Sequence, residues 1–278
     1  MRILLVVAIL GACAPAARDP VADAPLPPDP TADAAPAIDT SRVYAHSGTM
    51  LYRLNNLTLA ATPVGPLTGL GTQNLLDLAI DKNDRLVGIT RDTLYTIDAT
   101  TGAATLVKNL DQTARGFTSL SYAPADFADP TSPDILISAN DQGQVFQIDL
   151  TGAQATARQI GSYGTTAAGK IVSSGDLIAV RGFGIFATVD VGTGTEDYLA
   201  RIDPKTWRAT PLGIGTGFDK IFGLGYWNGR IYGFVDDGFA AGTGRIIDID
   251  PNTGRGLLIS SDSIRWFGAG VSTSAPIL

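Results

Sequence analysis

The sequence predicts an all-β chain folded as a five-bladed β-propeller, and three observations predict it. First, a short phrase recurs. Leu94-Tyr95-Thr96-Ile97-Asp98-Ala99-Thr100-Thr101-Gly102 is an alternating apolar run that ends in Ile-Asp and enters a Thr-Gly turn, after which a second run leaves. The phrase returns at Val145–Ile160, Leu199–Leu212 and Ile246–Ile259, with a weaker copy at Leu51–Val64. Second, its Asp positions, Asn55 (in the weak copy), Asp98, Asp149, Asp203 and Asp250, are spaced by 43, 51, 54 and 47 residues. That is the length of a four-stranded blade, about 40–50 residues. Third, no long stretch shows helical periodicity, whereas short alternating runs bounded by turns are the strand signal.

Each phrase supplies the two outer strands of a blade, and the inner two precede it. Blade two opens with Asn74–Ile80, a turn at Lys82-Asn83-Asp84, and Arg85–Ile89. Blade five opens with Phe222–Tyr226, and its Asn228-Gly229 pair is a hairpin signal, because both central residues of a type I′ turn need positive φ. Blade three opens with Phe117–Tyr122 and Asp134–Ala139. Blade four opens with Lys170–Ser173, a Ser174-Gly175-Asp176 turn and Leu177–Val180. The first copy has only Val43–His46 before it, and the chain finishes with Arg265–Ser272, an innermost strand with no blade to follow. Joined in one sheet, the two ends complete blade one and close the ring. The blades are then 43–66 with 265–272, 73–109, 117–161, 169–213 and 220–260. Small residues recur in the innermost strands (Ala79, Ser119, Ser121, Gly223, Gly225, Gly268, Ala269, Gly270), where backbones converge on an axis.

The chain divides into three parts: a signal segment 1–12, a linker 13–42 and the propeller 43–278. Met1-Arg2 is followed by an apolar run, Ile3–Leu10, too short to span a bilayer. It ends Leu10-Gly11-Ala12-Cys13, which resembles a bacterial lipobox. The resemblance implies cleavage after Ala12, lipidation of Cys13, and anchoring in the cell envelope. Ala14 after the Cys implies the outer membrane. Residues 14–42, rich in Pro, Ala and Asp, lack the apolar side chains needed to offset ordering and read as a disordered spacer. The propeller part resembles extracellular bacterial propellers of the NHL-like and quinoprotein-dehydrogenase-like type, without a Trp-Asp or kelch signature.

Charge and composition exclude several functions. The net charge of −7 argues against nucleic acid. One Cys forbids an internal disulfide, and one His (His46) forbids a multi-His metal site and makes any Ser-His-Asp triad depend on that residue. A turn role accounts for the four repeated Asp residues. Asp77 stands apart: it lies on an innermost strand where the other blades carry Ser119, Gly223 and Gly268, so it is the one candidate catalytic carboxylate. Two apparent insertions, Arg181–Tyr198 and Asp236–Gly244, are expected on one face. They would gather Asp190, Glu196, Asp197, Asp236 and Asp237 as a candidate Ca²⁺ site, with Phe183, Phe186 and Phe239 as binding-face aromatics. The Pro-rich Ala123–Pro133 segment is expected on the opposite face.

The leading expectation is a lipid-anchored binding or scaffolding module that meets an envelope protein, glycan or peptide, with no cofactor beyond Ca²⁺. The alternative is a glycoside- or lactone-cleaving hydrolase using Asp77 with Asp236 or Asp237. A ring that only supports assembly, with no ligand pocket, also remains open.

Overall fold

The structure is a computed structural model that describes residues 42–111, 116–194 and 196–277. The signal segment, Cys13 and nearly all of the linker lie outside the described residues. Blade one contributes β1 (Tyr44–His46), β2 (Met50–Leu54) and β3 (Ala61–Pro66). Blade two is β4 (Asp77–Ile80), β5 (Leu86–Ile89), β6 (Thr93–Ile97) and β7 (Ala104–Asn109). Blade three is β8 (Ser121–Pro124), β9 (Asp134–Ala139), β10 (Gln144–Asp149) and β11 (Thr156–Ser162). Blade four is β12 (Thr165–Thr166), β13 (Gly169–Val180), β14 (Gly184–Val191), β15 (Tyr198–Ile202) and β16 (Ala209–Pro211). Blade five is β17 (Ile221–Trp227), β18 (Arg230–Asp236), β19 (Gly244–Ile249) and β20 (Gly256–Asp262). The last strand, β21 (Gly268–Gly270), pairs antiparallel with β1, so blade one runs β21-β1-β2-β3 and the ring closes as the sequence predicts. No helix occurs among the described residues.

The recurring phrase folds as a recurring turn. Asp98 Oδ1 accepts bonds from the Thr100 and Thr101 N–H groups at 2.7 and 3.0 Å. Asp203 does the same for Lys205 and Thr206, Asp149 for Thr151, Asp250 for Asn252, and Asn55 for Leu57 and Thr58. These donors favour the charged form, and the carboxyls of Asp98, Asp149, Asp203 and Asp250 are held below the usual range.

The core lies between the blades. Leu51 of blade one meets Leu78, Ile80, Tyr95 and Ile97 of blade two. Phe117 and Phe146 of blade three pack edge-on beside Ile89 and Leu94 of blade two. Trp266 precedes the closing strand, is fully buried, and makes edge contacts with Tyr52 of blade one and Phe234 of blade five. At the axis the blades touch backbone to backbone. A Cβ added at Gly223 would stand 2.8 Å from the Ala269 nitrogen, so this strand position admits no side chain.

Blade four differs from its sequence reading. Ser174-Gly175-Asp176 is not a turn between two strands but a bulge within β13, where three residues stand against Thr188 of β14. The Asp176 N–H donates to Thr188 Oγ1 at 2.9 Å. Gly175 presses on blade five, where a Cβ would lie 2.1 Å from the Ile221 carbonyl oxygen. The apparent insertion Arg181–Tyr198 therefore holds the second strand, β14, and the described residues between it and β15 (192–194 and 196–197) lie on the face carrying the N-terminal ends of the innermost strands. The Gly residues that flank Gly184–Val191 disguise a buried strand as a flexible loop. The Ala125–Pro133 connection lies at the opposite end of the strands, as expected, where Arg181 donates to Ser132 O and pairs with Asp134.

Because Trp266 joins the closing blade to the ring, Trp266→Ala should lower unfolding stability by about 3–5 kcal/mol. Urea titration of the full-length protein is the measurement, and a loss under about 1 kcal/mol would mean that the closing contact is not cooperative with the ring.

Candidate functional site

The axis carries two carboxyls, not one. Asp77 begins β4 and Asp176 leaves the β13 bulge at the equivalent position, so each starts an Asp-Leu step (Asp77-Leu78, Asp176-Leu177). Asp77 Oδ1 accepts the Leu78 N–H at 2.8 Å and Oδ2 accepts the Leu120 N–H of blade three at 2.6 Å. Asp176 Oδ1 accepts the Leu177 N–H at 2.5 Å and Oδ2 the Leu224 N–H of blade five at 2.6 Å. Both residues are fully buried and hydrogen-bonded to each other. Burial drives both carboxyls well above the carboxylate range, and the charge of Asp176 raises Asp77 further. Two such groups in contact hold a shared proton. The pair thus ties blades two and four together and, through its acceptor oxygens, blades three and five.

His46 and Tyr163 border this pair. A Cβ at Gly268 would sit 2.4 Å from Asp77 Oδ1 and 2.6 Å from His46 Nε2, so only glycine lets them share that space. His46 Nδ1–H donates to Ser47 O at 2.9 Å, and the Leu76 backbone lies close enough to the buried ring to favour its charged form. Burial lowers the imidazole pKa to about 4, so it is neutral at physiological pH. The fully buried Tyr163 phenol lies near Asp176, and burial raises its pKa.

Above the pair, on the face carrying the N-terminal ends of the innermost strands, the axis opens into a mouth of about 220 Å³. Every blade contributes to its wall: Leu75 and Leu76, Phe117 and Thr118, Ser174 and Gly175, Phe222, and Phe267. Over Leu76 it adjoins a second depression of about 420 Å³ lined by Gln73, Asn74, Arg91 and Asp92. The exposed Phe239 covers the Arg265 guanidinium at 3.8 Å, and Arg265 also faces the Phe267 ring at 5.0 Å, which links the rim to the mouth.

The predicted acidic set separates. Asp190 and Asp197 come together, while Glu196 accepts the Gly217 N–H at 2.5 Å. Asp236 is clamped by Arg265 through bonds of 2.7 and 2.6 Å, and Asp237 pairs with Arg245 at 2.6 Å. Among the described residues no three metal-type side chains converge, so the five predicted carboxylates do not form one Ca²⁺ cage. Phe183 and Phe186 are not binding-face groups either. They stack on one another, Phe183 packs on Tyr226, and Phe186 is fully buried; of the three predicted aromatics, Phe239 alone is exposed. Asp176 was missed because its Ser-Gly-Asp setting reads as a turn. The Asp-Leu-Ile-Ala run beside Asp77-Leu78-Ala79-Ile80 was the available signal.

The fold and its axial mouth define a five-bladed β-propeller with all five blades lining one entrance. No protein-family model matches the chain, and no curated protein matches it. Among solved structures it is similar to a protein of unknown function from Bacteroides caccae (12% identity, 82% of this chain and 97% of that one, TM-score 0.47). It is also similar to a putative 6-phosphogluconolactonase from Bacteroides fragilis (14% identity, 82% and 69%, TM-score 0.39). A third is the PQQ-bound aldose sugar dehydrogenase from Streptomyces coelicolor (14% identity, 72% and 70%, TM-score 0.47). At these values none carries an argument about activity.

Raised native pKa values make the axial pair a pH-dependent element. Its contribution is complete below the unfolded carboxyl value and declines as pH rises toward the raised native values. Asp77→Asn removes one titrating group and one acceptor of a backbone N–H, at a cost of about 1–3 kcal/mol. The stability gap between wild type and Asp77→Asn should therefore be widest near pH 4 and narrow toward pH 9. Thermal unfolding across that range gives the answer, and a constant gap would show that the pair does not hold a proton.

Proposed function

We propose that the protein is a lipid-anchored, extracytoplasmic binding module whose ligand enters the axial mouth. The observation that carries this reading is the mouth itself: an apolar opening built by all five blades on a rigid ring, with a polar depression beside it. Cys13 in Leu10-Gly11-Ala12-Cys13 supports the anchor, and the Pro-rich residues that follow would hold the ring away from the membrane.

The hydrolase alternative finds less support. Two carboxyls that cleave a glycoside stand about 5–5.5 Å apart in retaining enzymes and about 6.5–9.5 Å apart in inverting ones. Asp77 and Asp176 are in hydrogen-bond contact, are saturated by backbone donors, and lie below the mouth without lining it. Asp236 and Asp237, the partners expected from sequence, are held by arginines.

Leu76 is partly exposed and shared by both depressions, so Leu76→Arg blocks the entrance without opening the core. In ligand-detected NMR on the full-length protein in detergent, small aromatic fragments should bind wild type and lose at least about tenfold in affinity to this variant. Equal binding would overturn the mouth as the site. For the anchor, a clickable fatty-acid label in a bacterial host should mark wild type and leave Cys13→Ala unlabelled. Equal labelling would remove Cys13 as the attachment point.

A further inference from the structure

The hairpin between β5 and β6 turns on two residues, Arg91 and Asp92, with the Thr90 N–H donating to Thr93 O at 2.9 Å across it. Because β5 runs antiparallel to β4, this turn lies on the same face as the mouth. It sets a cation and an anion side by side in the depression that adjoins the mouth over Leu76. Asp92 is held in place: its backbone O accepts the Leu110 N–H at 2.8 Å, and its Oδ1 accepts the Thr93 hydroxyl at 2.9 Å. Asp92 is half-buried and Arg91 is exposed. Among the described residues, Asp92 Oδ2 and the Arg91 guanidinium make no hydrogen bond or ion pair, with each other or with a third group. The exposed Asn74 amide in the same depression is likewise unbonded among them.

The acids expected on this face are committed elsewhere. Asp236 is held by Arg265, Asp237 by Arg245 and Glu196 by the Gly217 N–H, and Asp197 lies buried beside Ser174 and Asp190. The Arg91–Asp92 turn instead presents open charge of both signs, and that balance selects the ligand. A ligand with a single charge would satisfy one side chain and bring a like charge toward the other. A zwitterion satisfies both: its carboxylate accepts from the planar guanidinium fork, and its ammonium donates to the free carboxylate oxygen. Leu76, 37% exposed, is shared by the depression and the mouth. A side chain joined to the zwitterionic head therefore passes over Leu76 to reach Leu75, Phe117, Phe222 and Phe267. In an α-amino acid one carbon bears both head groups and the side chain, which matches two adjacent turn residues beside one apolar entrance.

We propose that the axial mouth and the Arg91–Asp92 turn form one site for a free α-amino acid with an aromatic or branched apolar side chain. Arg91 takes the carboxylate, Asp92 Oδ2 takes the ammonium, Asn74 adds an amide that either head group can bond, and the side chain enters the mouth. The site rests on the reading of the mouth as a binding entrance and adds the class of ligand. Its polar groups are open to water, so each head-group contact contributes modestly and apolar burial supplies most of the affinity.

Calorimetric titration of the full-length protein in detergent separates the head-group contacts from the mouth. The probes are L-phenylalanine, phenethylamine (which lacks the carboxylate) and phenylpropanoate (which lacks the ammonium). L-Phenylalanine should bind tightest, and removal of either group should weaken binding about threefold to fivefold, the scale of a solvent-open ion pair. The penalty for the lost carboxylate should vanish in Arg91→Gln, and that for the lost ammonium in Asp92→Asn, while each variant keeps the other penalty. Both variants should fold, since Arg91 is exposed and Asp92→Asn retains an oxygen for the Thr93 hydroxyl. Equal affinity for the three probes would leave the mouth as a binding entrance and overturn the amino-acid site. A penalty for only one head group, or variants that weaken all three probes alike, would overturn it as well. Binding of none of the three would overturn both the site and the entrance.

Discussion

The pairing of β21 with β1 is the constraint on which the remaining structure depends. Tyr44, Ala45 and His46 meet Gly270, Ala269 and Gly268 in antiparallel register, joining opposite ends of the described chain in one sheet. Each blade buries its faces only against its neighbours, so an open ring would leave a face of blade five and a face of blade one in water. Closure also sets the crowding at the axis. Once five innermost strands converge, Gly223 and Gly268 have no room for a Cβ, and the strand starts are driven together.

The axial carboxyl pair follows from that crowding. Leu120, just before β8, and Leu224 of β17 present backbone N–H groups to the axis, where their neighbours are other blades. Asp77 and Asp176 satisfy them with short side chains, and the shared proton removes the repulsion that two buried anions would suffer. This polar plug lies beneath an apolar entrance. The same geometry that makes the pair a good clasp makes it a poor reaction centre, because its oxygens are already committed.

A second group of acids lies to one side of the axis, between blades four and five. The β13 bulge places Ser174 at the entrance and Asp176 at the centre, since three residues must be accommodated opposite Thr188. Beyond β14, Asp197 stands beside Ser174 and Asp190, and its Oδ2 accepts the Ile221 N–H of blade five. Asp236, expected in the same constellation, is instead drawn to Arg265, which itself lies beneath Phe239.

Fold class, blade number and the five blade spans were legible in the sequence, because they arise from local periodicity and from turns that Asp98, Asp149, Asp203 and Asp250 form with residues two or three positions on, and the closing strand was legible as one with no blade to follow it. Asp77 was legible too, as an acid at a position where other blades carry Gly or Ser. The role of Asp176, the loss of Phe183 and Phe186 to the core, and the grouping of Asp197 with Ser174 were not. Bulge placement in β13 depends on Gly175 pressing against the Ile221 carbonyl of the next blade, and carboxylate partners depend on which arginine lies across an interface. The sequence by itself determined the blades, since within blades two to five the strands that pair are near neighbours in the chain, and it marked the closing strand as one left without a blade of its own. The tertiary structure alone decided the site, since its distances run between blades and no local pattern encodes them.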